Sequence, residues 1–115
     1  MPRYMFQVSY TGDSWKYQVG TREDPRARIT QLAAAVGGRV MDVYYSFGDY
    51  DLVVLLEMPS DEAMAGHVLA ALAGGSMKAT RVTPLLTVDQ GLKVMEVAST
   101  AGAGYHPPVR TRLDG

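Results

Sequence analysis

Apolar and polar side chains alternate one by one in two stretches of this chain, residues 4–10 and 39–47, and this pattern is typical of β-strands with one buried face. Residues 52–56 are apolar at every position, which predicts a third strand that is buried on both faces. A fourth strand is predicted over residues 77–86. Because Pro84 has no amide donor, we expect this strand either at an edge of the sheet or ending in a bulge.

Two segments with apolar residues at helical spacing lie between these strands. The first is predicted to begin at Asp24-Pro25, where the aspartate caps the first amides and proline fits the first helical position. It ends at the glycine pair 37–38, since glycine readily adopts the backbone conformation that ends a helix. The second helix begins at Ser60 or Asp61 and ends at the glycine pair 74–75.

The rest of the chain gives weaker patterns. After the first strand we predict only a short turn that carries Trp15, capped by Asp13 or Ser14. The capping box in residues 87–90 predicts a third, shorter helix. From residue 99 the chain is rich in glycine, alanine and proline and has no core pattern. We therefore predict one ordered domain over residues 1–99 and a tail over residues 100–115.

The predicted order βαββαβ, followed by a helix, is typical of an α+β protein with the ferredoxin-like fold. In this fold two helices cover one face of a four-stranded antiparallel sheet. The other face would expose about five aliphatic side chains, a larger patch than monomers usually tolerate. We therefore expect a homodimer whose exposed sheet faces pack together to form a dimeric α/β barrel.

The pair Gly48-Asp49 lies between the second and third predicted strands. A two-residue hairpin turn with glycine at positive φ is predicted there, and it would bring Asp49, Tyr50 and Asp51 to one rim of the sheet. Two interpretations remain open. Tyr50 and Asp51 act as acid and base in a catalytic site, or these residues only form the turn, with Asp51 accepting backbone amides.

The chain has seven tyrosines against two phenylalanines. A buried tyrosine needs a partner for its hydroxyl group, so this excess indicates either a polar-lined cavity or a dimer interface. The candidate ligand-binding residues are Tyr10, Trp15, Tyr44, Tyr45, Asp49 and Tyr50.

His67 joins Tyr50 and Asp51 as a catalytic candidate. If it faces a cavity it is suited to act as a general base or a haem ligand; otherwise it lies at the seam between helix and sheet or in solvent. His106 lies in the predicted tail. No spacing of histidines and carboxylates is typical of a metal site, so we expect no metal and no cofactor.

Composition restricts the partners. The chain has 115 residues, a net charge of −1 and no cysteine. It has no basic stripe that would favour nucleic acid and no apolar run long enough for a membrane span, and its N-terminus has no apolar signal core. The lack of cysteine excludes disulfides and thiolate sites and is typical of the reducing cytoplasm, where we expect this protein.

Four short motifs occur in order along the chain: Tyr10-Thr11-Gly12 with Trp15-Lys16, Gly37-Gly38-Arg39, Tyr44-Tyr45, and Phe47-Gly48-Asp49-Tyr50-Asp51. Together they resemble the bacterial GYD-domain family, which is named for the residues that are Gly48, Tyr50 and Asp51 here. The resemblance covers about Tyr4 to Val97. It implies the ferredoxin-like fold and a place in the dimeric α/β-barrel superfamily, and it implies no biochemical role.

Three functions fit these observations. We expect a homodimeric protein that binds or senses a small molecule. The alternatives are a small cofactor-free enzyme of the monooxygenase or isomerase type, and an interaction module that uses the sheet face. A cavity that holds Asp51 or His67 with a perturbed pKa would favour the enzyme, whereas an apolar cavity rimmed by tyrosine would favour binding.

Overall fold

Four strands and four helices form within residues 1–109, the part of the chain that the computed structural model describes. Their order is β1 (Arg3–Tyr10), α1 (Gly12–Thr21), α2 (Arg26–Ala35), β2 (Arg39–Tyr45), β3 (Leu52–Glu57), α3 (Asp61–Ala73), β4 (Met77–Leu85) and α4 (Val88–Gly102). The chain divides into two compact units, one up to Leu85 and one from Leu86 onward.

The strands form one antiparallel sheet in the order β2-β3-β1-β4. The wholly apolar strand β3 lies in the interior of the sheet. Strand β4 with Pro84 lies at an edge, as its missing amide donor predicted. The predicted α+β class and ferredoxin-like arrangement are therefore confirmed.

The hydrophobic core lies between one face of the sheet and the helices α2 and α3. Alternate residues of β1 and β3 point into it, and α2 and α3 add Ala33 and Met64. Burial of these side chains is the main stabilising contribution to the unit, at about 25 cal/mol for each Å² of apolar surface removed from water. The buried residues of the two strands are Tyr4, Phe6, Val8, Tyr10, Leu52, Val54 and Leu56.

The opposite face of the sheet has an apolar centre and a charged end. Register places Met5 opposite Leu55, and Val53 opposite Gln7 and Tyr44. Met5, Val53 and Leu55 are half-buried, while Tyr44 is 55% exposed. At one end Glu57 accepts ion pairs from two arginines, Arg3 (3.3 Å) and Arg39 (3.2 Å). This face therefore combines apolar and charged side chains, whereas the sequence pattern predicted a patch of aliphatic side chains.

The segment after β1 is a ten-residue helix, α1, so the prediction of a short turn was wrong. Its N-cap is Thr11, whose Oγ1 accepts from the Ser14 backbone amide at 3.1 Å, and neither Asp13 nor Ser14 takes that role. None of the residues of α1 is buried. Because the helix has no buried stripe, its sequence gives little helical periodicity to detect.

The predicted two-residue turn at Gly48-Asp49 was also wrong. β2 ends at Tyr45 and β3 begins at Leu52, so residues 46–51 connect them. The positive φ belongs to Phe47 (48°) and not to Gly48. The Ser46 amide donates to the Asp51 carbonyl at 3.0 Å, and the Asp51 amide donates to the carbonyl of Val8 in β1 at 2.7 Å. The contact with β1 explains why the loop is longer than a tight hairpin.

A bulge in β2 changes which of its residues share a face. The register shifts between Val40 and Asp42, so Met41 has no paired residue on β3 and is 39% exposed. Val43 pairs with the core residue Val54. The alternating pattern predicted over residues 39–47 is therefore interrupted by one extra residue, as a bulge requires.

The second unit is the helix α4 with its flanking residues. The predicted capping box is present: the Thr87 hydroxyl accepts from the Gln90 amide at 3.1 Å, and the Gln90 side chain accepts from the Thr87 amide at 2.8 Å. α4 continues to Gly102, and none of its residues is buried. The division into residues 1–99 and 100–115 remains a prediction, and residues 110–115 lie outside the described range. Among residues 1–109, no helix has the length and apolar character needed to cross a bilayer.

Candidate functional site

A cavity of about 330 Å³ lies between the sheet and the helices α2 and α3. Its walls are mostly apolar and include Phe6 and Val8 of β1, Leu52 and Val54 of β3, and Leu32 of α2. This volume lies in the range of small-molecule sites, which begins at about 300 Å³. The sequence indicated a cavity but not its location.

His67 of α3 is the central polar residue of the cavity. It is only 2% exposed, and its ring meets the Phe6 ring edge-on, with 5.6 Å between the centroids. Its Nδ1 atom is buried and has no hydrogen-bond partner among the described residues. Most buried polar atoms are paired, because an unpaired one costs about 1–3 kcal/mol. A histidine with an unpaired nitrogen in a cavity is therefore suited to bind a ligand.

The surroundings of His67 indicate its protonation state. Burial lowers the pKa of His67, and a hydrogen bond with the Leu32 backbone acts in the opposite direction. A hydrogen bond that favours the charged ring requires a ring N–H that donates to the Leu32 carbonyl. Since Nδ1 has no partner, we assign this proton to Nε2. The neutral ring then presents the lone pair of Nδ1 as an acceptor.

Tyr10 and Arg28 form a second polar part of the cavity lining. Burial raises the pKa of the Tyr10 hydroxyl, whereas the charge of Arg28 and a hydrogen bond with it lower that pKa. Arg28 is exposed, so it brings a permanent positive charge to the solvent side. His67 contacts Phe6, and Arg28 contacts Tyr10. Since Phe6 and Tyr10 are four positions apart on β1, these two contacts are separated by about 13 Å along the strand.

Asp51 has a different role from the one expected of a catalytic base. Its Oδ2 atom accepts from the Tyr10 backbone amide at 2.9 Å and from Nε1 of Trp15 at 3.1 Å. These bonds attach the loop to both β1 and α1. The cavity lining does not include Asp51. Its contacts are those of the turn interpretation, in which Asp51 accepts backbone amides.

An aromatic cluster lies beside the cavity and shares Tyr10 with it. Trp15 meets Tyr10 edge-on with 5.4 Å between the centroids, and Tyr45 stacks on Phe47 at 5.6 Å with an angle of 13°. Phe47 is 77% exposed. Trp15 and Tyr45 were predicted to bind a ligand. Phe47 was not among the candidate ligand-binding residues, because its alternating pattern predicted that it lies in the second strand.

The other candidate residues are not brought to the cavity. Tyr44 lies on the opposite face of the sheet. Asp49 is exposed, and its carbonyl accepts from the Ser9 hydroxyl at 2.9 Å. Tyr50 is half-buried, and its carbonyl accepts from Ser46. Of the candidate ligand-binding and catalytic residues, only Tyr10 and His67 line the cavity.

Arg28 and Ser76 are the polar lining residues that the sequence analysis missed. Arg28 precedes Leu32 by four residues, so the two lie on the same face of α2, and this spacing was a usable signal. Ser76 follows the glycine pair that ends α3 and carries no pattern of its own. Within residues 1–109, no group of three histidine or acidic side chains is placed to hold a metal ion.

The comparisons with known proteins concern the fold and the family. Comparison with curated proteins finds no match. MtbAldR has a similar structure, with a TM-score of 0.55 and 21% identity, over 75% of this chain and 52% of that protein. The protein TTHA0845 from Thermus thermophilus has a TM-score of 0.50 and 17% identity, over 76% of this chain and 95% of that protein.

A third similar structure is the transcriptional regulator NMB0573 from Neisseria meningitidis in complex with L-Met. Its TM-score is 0.50 and its identity 14%, over 75% of this chain and 50% of that protein. This chain thus spans about half the length of that regulator and of MtbAldR. Such identities show a common fold alone. The family model of the GYD domain matches residues 4–95, most of the chain, and this protein therefore belongs to the GYD domain family.

Proposed function

We propose that this GYD domain protein is a homodimer that binds or senses a small molecule. The observation that carries the proposal is the apolar cavity of about 330 Å³, whose lining includes His67 with its unpaired Nδ1. A ligand with a hydrogen-bond donor would remove the cost of the unpaired atom and bury apolar surface at the same time. The similarity in fold to a regulator solved with L-Met is consistent with a sensing role.

The homodimer part of the proposal rests on the sheet face opposite the helices. Its centre is formed by Met5, Val53 and Leu55, and its end by the ion pairs of Glu57. An apolar centre with a charged rim is the usual composition of a protein interface. Two copies of this face would cover each other's aliphatic side chains.

Native mass spectrometry of the purified protein tests both parts. We expect the mass of a dimer that carries an additional small molecule, and we expect Ala71→Leu to lose that molecule because Ala71 lines the cavity. Ala73→Leu is the matched control, since Ala73 is an exposed residue of the same helix. A monomer would overturn the dimer, and a bound molecule that survives Ala71→Leu would overturn the assignment to this cavity.

One observation favours a second function, that of a cofactor-free enzyme. Burial lowers the pKa of His67, so its ring is neutral at neutral pH, and this lining residue of the cavity has an unpaired acceptor nitrogen, as a general base does. However, the proposed partners Tyr50 and Asp51 do not line that cavity. Incubation of the copurified molecule with protein, followed by chromatography and mass spectrometry, distinguishes the two. An enzyme would convert it with wild type and not with His67→Gln, whereas a binding protein returns it unchanged.

A further inference from the structure

The His67 end of the cavity requires a donor from the ligand. Nδ1 is an acceptor because the proton is assigned to Nε2, and Phe6 and Leu32, which contact His67, have no side-chain donor. None of the residues that line the cavity is acidic. A ligand ammonium group would therefore be buried without a counter-charge, which is strongly unfavourable. An uncharged hydroxyl group meets both conditions.

The Arg28 end favours a negative group. Arg28 keeps its charge at every relevant pH, and no ion pair joins it to a carboxylate within residues 1–109. Beside it lies the Tyr10 hydroxyl, which is a second donor. A carboxylate can accept from a guanidinium through two parallel hydrogen bonds, so it fits this end better than a neutral group does.

The space between the two ends determines the body of the ligand. The cavity of about 330 Å³ holds about eleven water-sized groups. Apart from the polar residues His67, Arg28 and Ser76, its walls are aliphatic except for the rings of Phe6 and Tyr10, which lie four positions apart on β1, or about 13 Å along the strand. A single aromatic ring with a short side chain has a suitable length and volume, whereas a nucleotide or an acyl chain of ordinary lipid length is too large.

We propose that the cavity binds a hydroxyaryl carboxylate, with its hydroxyl group directed to Nδ1 of His67 and its carboxylate directed to Arg28. This inference rests on the proposed small-molecule function and adds the chemical class of the ligand.

Isothermal titration calorimetry with three probes tests the ligand class on the full chain. The first probe is 3-(4-hydroxyphenyl)propanoate. The second, 3-phenylpropanoate, lacks the hydroxyl group, and the third, 3-(4-hydroxyphenyl)propan-1-ol, has an alcohol in place of the carboxylate. We expect the first probe to bind at least tenfold more tightly than either of the others, because each loses one polar contact.

Variants assign each preference to a residue. His67→Leu should bind the first two probes with equal affinity, and Arg28→Gln should bind the first and third with equal affinity. Arg26→Gln is the matched control, since Arg26 lies on the same helix outside the cavity lining and should retain both preferences. If His67→Leu does not fold, the comparison of the probes on wild type still decides the question.

The outcomes separate this inference from the function on which it rests. Equal binding of the three probes to wild type would overturn the ligand class and leave a general apolar binding site. The ligand class would also be wrong, and the proposed function would stand, if no probe binds while native mass spectrometry shows a copurified molecule that Ala71→Leu removes. If no probe binds and no bound molecule is found, both the ligand class and the proposed function are wrong.

Discussion

At the scale of single residues, Asp51 connects three parts of the molecule. Its carboxylate accepts from β1 and from Trp15 of α1, while its own amide donates to β1. The aspartate that gives the family the last letter of its name therefore has a structural explanation in this protein. It stabilises the junction of the loop, the strand and the first helix.

Replacement of this aspartate tests that explanation. We expect Asp51→Asn to lower the free energy of unfolding by about 1–2 kcal/mol, because a neutral amide is a weaker acceptor than a carboxylate. Urea unfolding, followed by tryptophan fluorescence, measures the loss and also reports on Trp15. Asp49→Asn is the control, since the contact of Asp49 uses its backbone carbonyl. Equal effects of the two substitutions would contradict this role.

Tyr4 gives a prediction about pH. Its hydroxyl donates to Asp61, and this hydrogen bond, together with burial, raises the pKa of Tyr4 to about 12 from the ordinary 10.0. The folded state thus favours the protonated hydroxyl. The resulting stability is complete below pH 10 and is lost as the pH rises toward 12.

The variant Tyr4→Phe removes this dependence. We expect the difference in unfolding free energy between wild type and Tyr4→Phe to shrink between pH 10 and pH 12. Chemical unfolding at a series of pH values measures it. The exposed Tyr17 provides the control, and the difference between wild type and Tyr17→Phe should stay flat over the same range. A constant difference for Tyr4→Phe would show that its hydrogen bond does not control the titration.

Sequence patterns place residues on faces but do not show whether the space above a face is filled. His67 could be assigned to the margin of the α3 stripe, next to Val68. Whether that margin meets solvent, packed side chains or a cavity depends on how α2 lies against α3. For the same reason the cavity itself could not be predicted, although Tyr10 and His67 were both candidates.

At the scale of elements, burial separates the successful predictions from the failures. β1 and β3 contain most of the core, and both were correctly predicted as strands, although the second face of β3 is only half-buried. α1 has no buried residue, so only its cap could reveal it, and that cap was assigned to the wrong residue. The loop of residues 46–51 depends on contacts with β1, which lies about 40 positions earlier in the chain, and local turn rules do not include such contacts.

The local stability of α1 should therefore depend more on its N-cap than on its surface side chains. We expect Thr11→Ala to weaken α1 locally by about 1 kcal/mol, because the Ser14 amide loses its acceptor. Hydrogen exchange should then be faster at the amides of the first turn and unchanged in β1 and β3. Thr21→Ala, at the other end of the helix, is the control and should leave the first turn protected. Uniformly faster exchange would show that α1 does not open on its own.

At the scale of the whole molecule, the proposed dimer depends on Met5, Val53 and Leu55, at the centre of the sheet face opposite α2 and α3. Leu55→Lys would place a charge in that centre without a counter-charge, so we expect the protein to become monomeric. Light scattering coupled to size-exclusion chromatography measures the mass. Val19→Lys, on the exposed surface of α1, should leave the dimer intact. A dimeric Leu55→Lys protein would show that the copies associate through another surface.

Both outer strands of the sheet are interrupted. In β4, Pro84 has no amide to donate, and in β2 the bulge at Met41 displaces the backbone from a regular row. An incoming strand needs an uninterrupted row of donors and acceptors in order to add to a sheet. Growth into fibrils by strand addition is thus hindered at both edges.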